Sequence, residues 1–336
     1  ISYDVTAVKL VYKATYKGQA IDASGLVIIP RNTPAPPSVI SAQHGTLFLS
    51  AAAPSNFPAP VSFSGLELLG ATGYITVIPD YIGFGVSKNL VQPYYDKLHS
   101  AAAVTDMLKA VTYYLKKEKI AYSERLFLLG YSEGAYVSLA AQEAIEASPI
   151  SGLSLKAVAA GAGGYHVGSV MSHIFQSETY QDPSYLAKLL NAYNVTSGLN
   201  RPLTDFFKEP YAGRIGSLLD GSNDGSTVNA QLSTNVASLL DAGFVASLHT
   251  VSGEIAFKLA LDKNSVVNWK PVTALRLYHG TADATVAYET SEAALTDFKA
   301  NGATQVTLTP IPGGTHVSSI IPVMLNALTW FQSLDK

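Results

Sequence analysis

The chain has 336 residues, 22 basic against 25 acidic side chains for a formal net charge of −3, no cysteine, 14% charged residues and 48% hydrophobic ones. That balance describes a chain that folds around a core, and zero cysteine excludes a disulfide scaffold, a thiolate zinc site, an iron–sulfur cluster and a cysteine nucleophile together. The densest basic run, Lys116-Lys117-Glu118-Lys119, offers no polyanion-binding stripe, and no apolar stretch reaches the roughly 18 residues of a bilayer span, so neither nucleic acid nor a transmembrane segment is expected.

The chain opens at Ile1 without a Met or a signal-like basic segment, and its first residues are expected to have been removed. The next residues alternate: Val5, Ala7, Lys9, Val11, Lys13 and Thr15 share one parity, and a Lys17-Gly18 turn leads into an apolar run over 23–30, the pattern of an antiparallel hairpin. After a Pro-rich loop at 33–37, short and nearly continuous apolar runs recur at 39–42, 74–78, 125–129, 157–160, 274–278 and 305–311. Runs of that length, bounded by Gly, Pro or polar residues, suit parallel strands buried on both faces. Helical spacing fills the gaps at 64–69, 101–115, 135–147 and 291–300, and 317–334 is long enough for a closing helix. Strand and helix in alternation predict an α/β fold with a mostly parallel, doubly wound sheet, preceded by the hairpin. Residues 165–268 break the alternation. Over roughly a hundred residues no buried strand pattern appears while Tyr and Phe recur, which predicts a helical insertion into a core formed by 1–164 and 269–336, with 220–227 as a surface loop.

The chemistry lies at the strand ends. The run 126–129 enters Gly130-Tyr131-Ser132-Glu133-Gly134, and a helix-forming stretch starts at Ala135. A serine on a tight strand-to-helix turn is held with its hydroxyl exposed, and the next amide lies at a helix N-terminus where it can stabilise an oxyanion. In this strand–helix context the motif predicts Ser132 as a nucleophile rather than an ordinary turn serine. A serine needs a base, which here should follow the acid in chain order. Asp283 lies on the loop after the 274–278 run, and among seven histidines only His316, in Pro312-Gly313-Gly314-Thr315-His316, comes later. Ser132, Asp283 and His316 are therefore the expected relay. The 39–42 run ends at His44-Gly45-Thr46, whose backbone can turn amides toward the nucleophile, so the oxyanion donors are expected to be the N–H groups of Thr46 and Glu133, with Leu47 as substitute for Thr46. His44 is expected to hold that loop by packing and hydrogen bonding. Asp80, after the 74–78 run, is expected to fix a loop rather than to act as a second carboxylate in the cleft. The Gly-rich stretches at 83–88 and 161–164 complete no phosphate-binding pattern, and no metal-ligand spacing appears.

With these residues assembled the chain resembles an α/β-hydrolase and, more narrowly, the secreted lipase and esterase group that includes fungal secretory lipases and a bacterial secreted esterase branch. The narrower likeness rests on 23–30, His44-Gly45-Thr46, the Pro79-Asp80-Tyr81-Ile82-Gly83-Phe84-Gly85 stretch, the Ser132 motif, Trp269-Lys270-Pro271 and Tyr278-His279-Gly280 with Asp283. The insertion matches mainly in position. The resemblance implies a Ser-His-Asp triad, a lid over an acyl pocket at 165–268, no cofactor, an ester substrate that is a small molecule or a lipid, and export to the periplasm, cell surface or medium. Glu133 departs from relatives, which often carry a neutral Gln there, and a carboxylate beside the nucleophile would bear on leaving-group preference.

The expected activity is that of a serine carboxylic-ester hydrolase working through an acyl-enzyme on short- to medium-chain esters. Two rivals remain. A serine peptidase of the same fold also carries such an elbow, here extended to G-x-S-x-G-x-Y at Tyr136, and would need Glu133 or Glu254 to neutralise a substrate amine. A non-catalytic binding protein that kept the fold is the other, since fold alone does not fix function.

Overall fold

The computed structural model of the chain describes residues 2–336. Eight strands form one sheet: β1 (Val5–Tyr16), β2 (Gln19–Pro30), β3 (Val39–Gln43), β4 (Ile75–Pro79), β5 (Arg125–Tyr131), β6 (Ser154–Gly161), β7 (Ala274–Gly280) and β8 (Val306–Ile311), in the order β1-β2-β4-β3-β5-β6-β7-β8. β1 and β2 pair antiparallel from Val5 opposite Pro30 to Tyr16 opposite Gln19, and β2 joins β4 antiparallel. All later neighbours are parallel. The odd-numbered hairpin residues from Val5 to Thr15 turn out to face solvent, while Tyr12, Ala14 and Tyr16 on the other parity are buried.

The near-continuous apolar runs arise because both sheet faces are covered. In β5, Leu126 and Leu128 enter one core with Met107, Val111 and Leu139, whereas Phe127 and Leu129 enter the other with Val323, Ala327 and Phe331. Burying about 2 kcal/mol worth of side chain at each such position is what holds the central strands in register. These partners come from α2 (Lys97–Lys117), α3 (Glu133–Ala147) and α12 (Ile320–Leu334), while α1 (Leu68–Ala71) adds Leu69 and α11 (Glu289–Ala300) adds Phe298 to the two cores. Asp96 caps α2, its carboxylate accepting from the His99 N–H at 3.0 Å.

Between β6 and β7 the chain forms α4 (Val167–Gln176), α5 (Pro183–Thr196), α6 (Ala212–Leu218), α7 (Gly225–Ala230), α8 (Val236–Leu239), α9 (Ala242–Leu248) and α10 (Ile255–Lys263). The only pairings of strand type among its described residues are isolated bridges, Thr179 with Asn235 and Phe207 with Leu240. Aromatic contacts bind these short helices together: Phe244 meets Phe175, Phe206 and Phe257 with centroids 5.9, 5.1 and 5.7 Å apart. That cluster merges with the core on the α2–α3 side of the sheet, so the insertion stands on the sheet rather than apart from it.

Candidate active site

Ser132 stands between the end of β5 and the start of α3 with φ 58° and ψ −124°, a conformation a non-glycine residue adopts only under constraint. The constraint comes from the crowded backbone around it. A Cβ on Gly130 would drive into the Gly134 carbonyl, and one on Gly134 would drive into the Gln43 carbonyl, which is why this turn carries glycine at both ends of its motif. The Ser132 N–H donates to Gly161 O at 2.8 Å, tying the elbow to the end of β6.

The three residues of the expected relay, brought in from separate strand ends, meet. His316 Nε2 is 3.0 Å from Ser132 Oγ, and His316 Nδ1 is 2.7 Å from Asp283 Oδ2. Asp283 lies on the loop after β7 with no side-chain surface open to water, and its Oδ1 accepts the N–H groups of Thr285 and Val286, both at 2.9 Å. Burial alone would raise this carboxyl. Hydrogen bonds from His279 and His316, and the imidazole charge of His316, instead hold it well below the usual carboxylate range.

Two supports escape the sequence reading. His279 Nε2 lies 3.3 Å from Asp283 Oδ2 and 2.9 Å from Val286 O, while its Nδ1 meets Ser291 Oγ at 2.7 Å, so it braces the acid from behind. The Tyr131 hydroxyl donates to His316 O at 2.7 Å and so fixes the loop bearing the imidazole. The four-residue spacing of His279 and Asp283 and the Tyr directly before the serine are the only traces of these contacts in the sequence.

Gly45 faces the elbow, since a Cβ there would stand 3.9 Å from Ser132 Cβ. The Thr46 N–H makes no backbone hydrogen bond among the described residues, and that of Glu133, first residue of α3, has no acceptor within its helix. Two amides beside one hydroxyl are the parts an oxyanion hole requires. His44 is buried behind them, with Nδ1 2.8 Å from Gly45 O, Nε2 3.3 Å from Asp80 O and its ring stacked 4.0 Å from that of Tyr81; burial lowers its pKa. Asp80 is also buried, and accepts from Ser24 Oγ at 2.5 Å and the Ser55 N–H at 2.7 Å. Both hold loops, and neither side chain hydrogen-bonds to Ser132.

The Glu133 side chain turns away from the nucleophile. It is buried, accepts from Gln92 Nε2 at 2.6 Å and lines neither cavity that opens at Ser132. Burial raises its carboxyl above the ordinary range, opposed by the Lys188 charge and by Thr46 and Gln92. Lys188, on α5, has its ammonium 5.0, 5.3 and 5.5 Å from the ring centroids of Phe48, Phe84 and Tyr94. Burial lowers its pKa and the Glu133 charge raises it. Glu254 is engaged elsewhere, its two oxygens 2.9 and 2.7 Å from Arg201 Nη1. No group of three or more His, Cys, Asp or Glu side chains that could hold a metal ion occurs among the described residues.

Of the insertion's aromatics, Phe206, Phe207, Phe244 and Phe257 are buried in its own core, whereas Tyr180 and Tyr185 line a cavity at Ser132. The sequence did not sort these two groups.

Known proteins share the sequence family and the fold of this chain. The sequence model of the secretory lipase family matches residues 66–334. A search of curated sequences gives no significant match. Among solved structures, a protein from Legionella pneumophila assigned as a hydrolase superposes with a TM-score of 0.91 at 25% identity, covering 99% of this chain and 90% of its own. The rice cell wall degrading esterase LipA from Xanthomonas oryzae gives 0.86 at 23% identity, with 98% and 89% covered. Lipase A from Candida antarctica, in its closed state, gives 0.74 at 16% identity, with 97% and 78% covered. At such low identities the last two speak to the fold, which is that of the α/β-hydrolases.

Proposed function

The chain belongs to the secretory lipase family and is a hydrolase of the lipase and esterase kind, and from that premise we propose that it cleaves carboxylic esters through a Ser132 acyl-enzyme. The observation that carries the reading is the unbroken relay from Asp283 through His316 to Ser132, at 2.7 and 3.0 Å.

Ser132 Oγ attacks the ester carbonyl carbon while His316 Nε2 takes its proton. Asp283 keeps the imidazole in the tautomer with Nδ1–H and stabilises the cation that forms. The amides of Thr46 and Glu133 receive the oxyanion. Collapse of the intermediate expels the alcohol, which takes its proton from His316 Nε2, and water then attacks the acyl-enzyme by the same route. No step calls for a metal or a cofactor.

In this reading residues 165–268 act as a lid over the acyl pocket, since Tyr180, Tyr185 and apolar side chains of α4 and α5 line a cavity reaching Ser132. The family supports export of the protein and an ester, whether small molecule or lipid, as substrate. No helix among the described residues is long and apolar enough to cross a membrane.

The peptidase reading draws less support, because a substrate ammonium needs a carboxylate in the cleft. Glu133 is buried against Gln92, and Glu254 is paired with Arg201. The test is a panel of p-nitrophenyl esters, acetate to palmitate, run beside aminoacyl and Pro-containing p-nitroanilides. Esters of short to medium acyl chains are expected to be cleaved readily and anilides barely. A higher kcat/KM on an anilide overturns the esterase reading.

A further inference from the structure

Two cavities meet at Ser132, and they differ in width and in their position relative to His316. The narrow one, about 50 Å³, runs beneath the insertion between Met171, Ile174, Leu186 and Leu189. The wide one, about 740 Å³, opens along α12 and the segment before and through α1, between Leu66, Leu69, Ile320, Ile321, Met324 and Leu325. No Asp, Glu, Lys or Arg lines the wide groove, and apolar side chains stand in water along it: Leu68, Ile321 and Leu325 are 60%, 70% and 60% exposed. His316 and the next residue, Val317, line the wide groove only.

The position of His316 decides which half of an ester goes where. When the tetrahedral intermediate collapses, its C–O bond to the alcohol breaks and the electron pair leaves on the alcohol oxygen. The proton that His316 Nε2 took from Ser132 Oγ passes to that oxygen, so donor and acceptor must be within hydrogen-bond reach. The alcohol therefore lies on the imidazole side, in the wide groove, and the acyl group lies opposite, in the narrow cavity.

We propose that the groove along α12 is an alcohol-binding site and that the preferred substrates are short-chain acyl esters of large apolar alcohols. The proposal rests on the serine-hydrolase reading above. A groove without charged side chains rewards burial of hydrocarbon, and a hydroxyl-rich alcohol would lose water there with few partners in return. A volume of about 50 Å³ admits only a few carbons of an acyl chain before apolar lid side chains must move aside. Continuity with the reacting atoms selects the alcohol as occupant over a membrane surface or a second copy of the chain.

The test uses two isomers of equal composition, decyl acetate and ethyl decanoate, with ethyl acetate as reference, all below the concentrations at which they aggregate. The full chain is expected to cleave decyl acetate with a kcat/KM at least tenfold above both other esters. Ile321→Glu and Leu325→Glu, at exposed positions where the fold tolerates charge, should each lower the ratio of decyl acetate to ethyl acetate at least tenfold. Ile174→Trp should lower the ratio of ethyl decanoate to ethyl acetate instead. Preference for ethyl decanoate, or ratios that the groove variants leave alone, overturns the proposal. So does a groove variant whose only effect is on vesicle binding or on oligomeric state by light scattering. Ser132→Ala separates the two readings: if it still turns over, the hydrolase mechanism fails, whereas an inactive Ser132→Ala beside an inverted isomer preference removes only the division of the substrate between the cavities.

Discussion

Replacing Asp283 by Asn tests the relay through a conflict the structure builds in. Oδ1 accepts two backbone N–H groups at 2.9 Å, and these donors cannot change protonation. The Asn oxygen must stay with them, which turns its NH₂ toward His316 Nδ1, now 2.7 Å from the carboxylate. The imidazole can answer only by moving its proton to Nε2, where it points at Ser132 Oγ and can no longer accept. Loss of the correct tautomer in a Ser-His-Asp relay costs about 10⁴-fold in rate, or about 5.5 kcal/mol of barrier. Initial rates on p-nitrophenyl acetate at neutral pH measure it. A variant within about tenfold of the parent would refute the reasoning. The same substitution has a signature in stability. The carboxyl of Asp283 is depressed in the folded state below its ordinary 3.8, so its ionised form contributes stability that is present above that value and lost as pH falls through the folded value. The melting-temperature gap between parent and Asp283→Asn should therefore be widest near neutral pH, begin to narrow below about pH 4 and go on narrowing as pH falls further, as followed by circular dichroism.

Ser132→Ala and His316→Ala should each lose several orders of magnitude in kcat/KM, and the double variant little more than either, because the two act as one unit; additive losses would separate them. Asp80→Ala strands two buried donors, Ser24 Oγ and the Ser55 N–H. It should cost about 2–6 kcal/mol in urea unfolding, and a loss under about 1 kcal/mol would deny Asp80 its structural role. Burial raises the Glu133 carboxyl from 4.5, so the folded state keeps a proton that the unfolded chain releases, and stability falls as pH rises from 4.5 through the raised value. The Lys188 charge moderates that fall. The melting temperature of Lys188→Met minus that of the parent should therefore decrease from about pH 5 to about pH 8, and a constant difference would show that the two groups do not interact.

The central strands were legible in the sequence because both faces of the sheet are covered. Phe127 and Leu129 pack on one side and Leu126 and Leu128 on the other, leaving no polar alternation. Ser132, Asp283 and His316 were legible because each follows a strand, and parallel strands bring their C-terminal ends to one edge. What depends on side chains meeting across long stretches of sequence was not. Gln92 and Lys188 reach Glu133 from a loop and from α5, so nothing beside the motif told that this carboxylate is buried and turned from the cleft. The insertion's Tyr and Phe residues share one composition but divide between its own core and the cavity at Ser132. That division is set by how α4, α5, α9 and α10 pack, which short helical patterns do not specify.

The most direct test of the Ser132 acyl-enzyme is intact-protein and peptide mass spectrometry after a brief, acid-quenched reaction with p-nitrophenyl acetate. A single acetyl group on the peptide bearing Ser132, appearing in a burst with the first equivalent of p-nitrophenol and absent from Ser132→Ala, is the predicted result. Acetylation elsewhere that keeps pace with turnover, or full activity in Ser132→Ala, would contradict it.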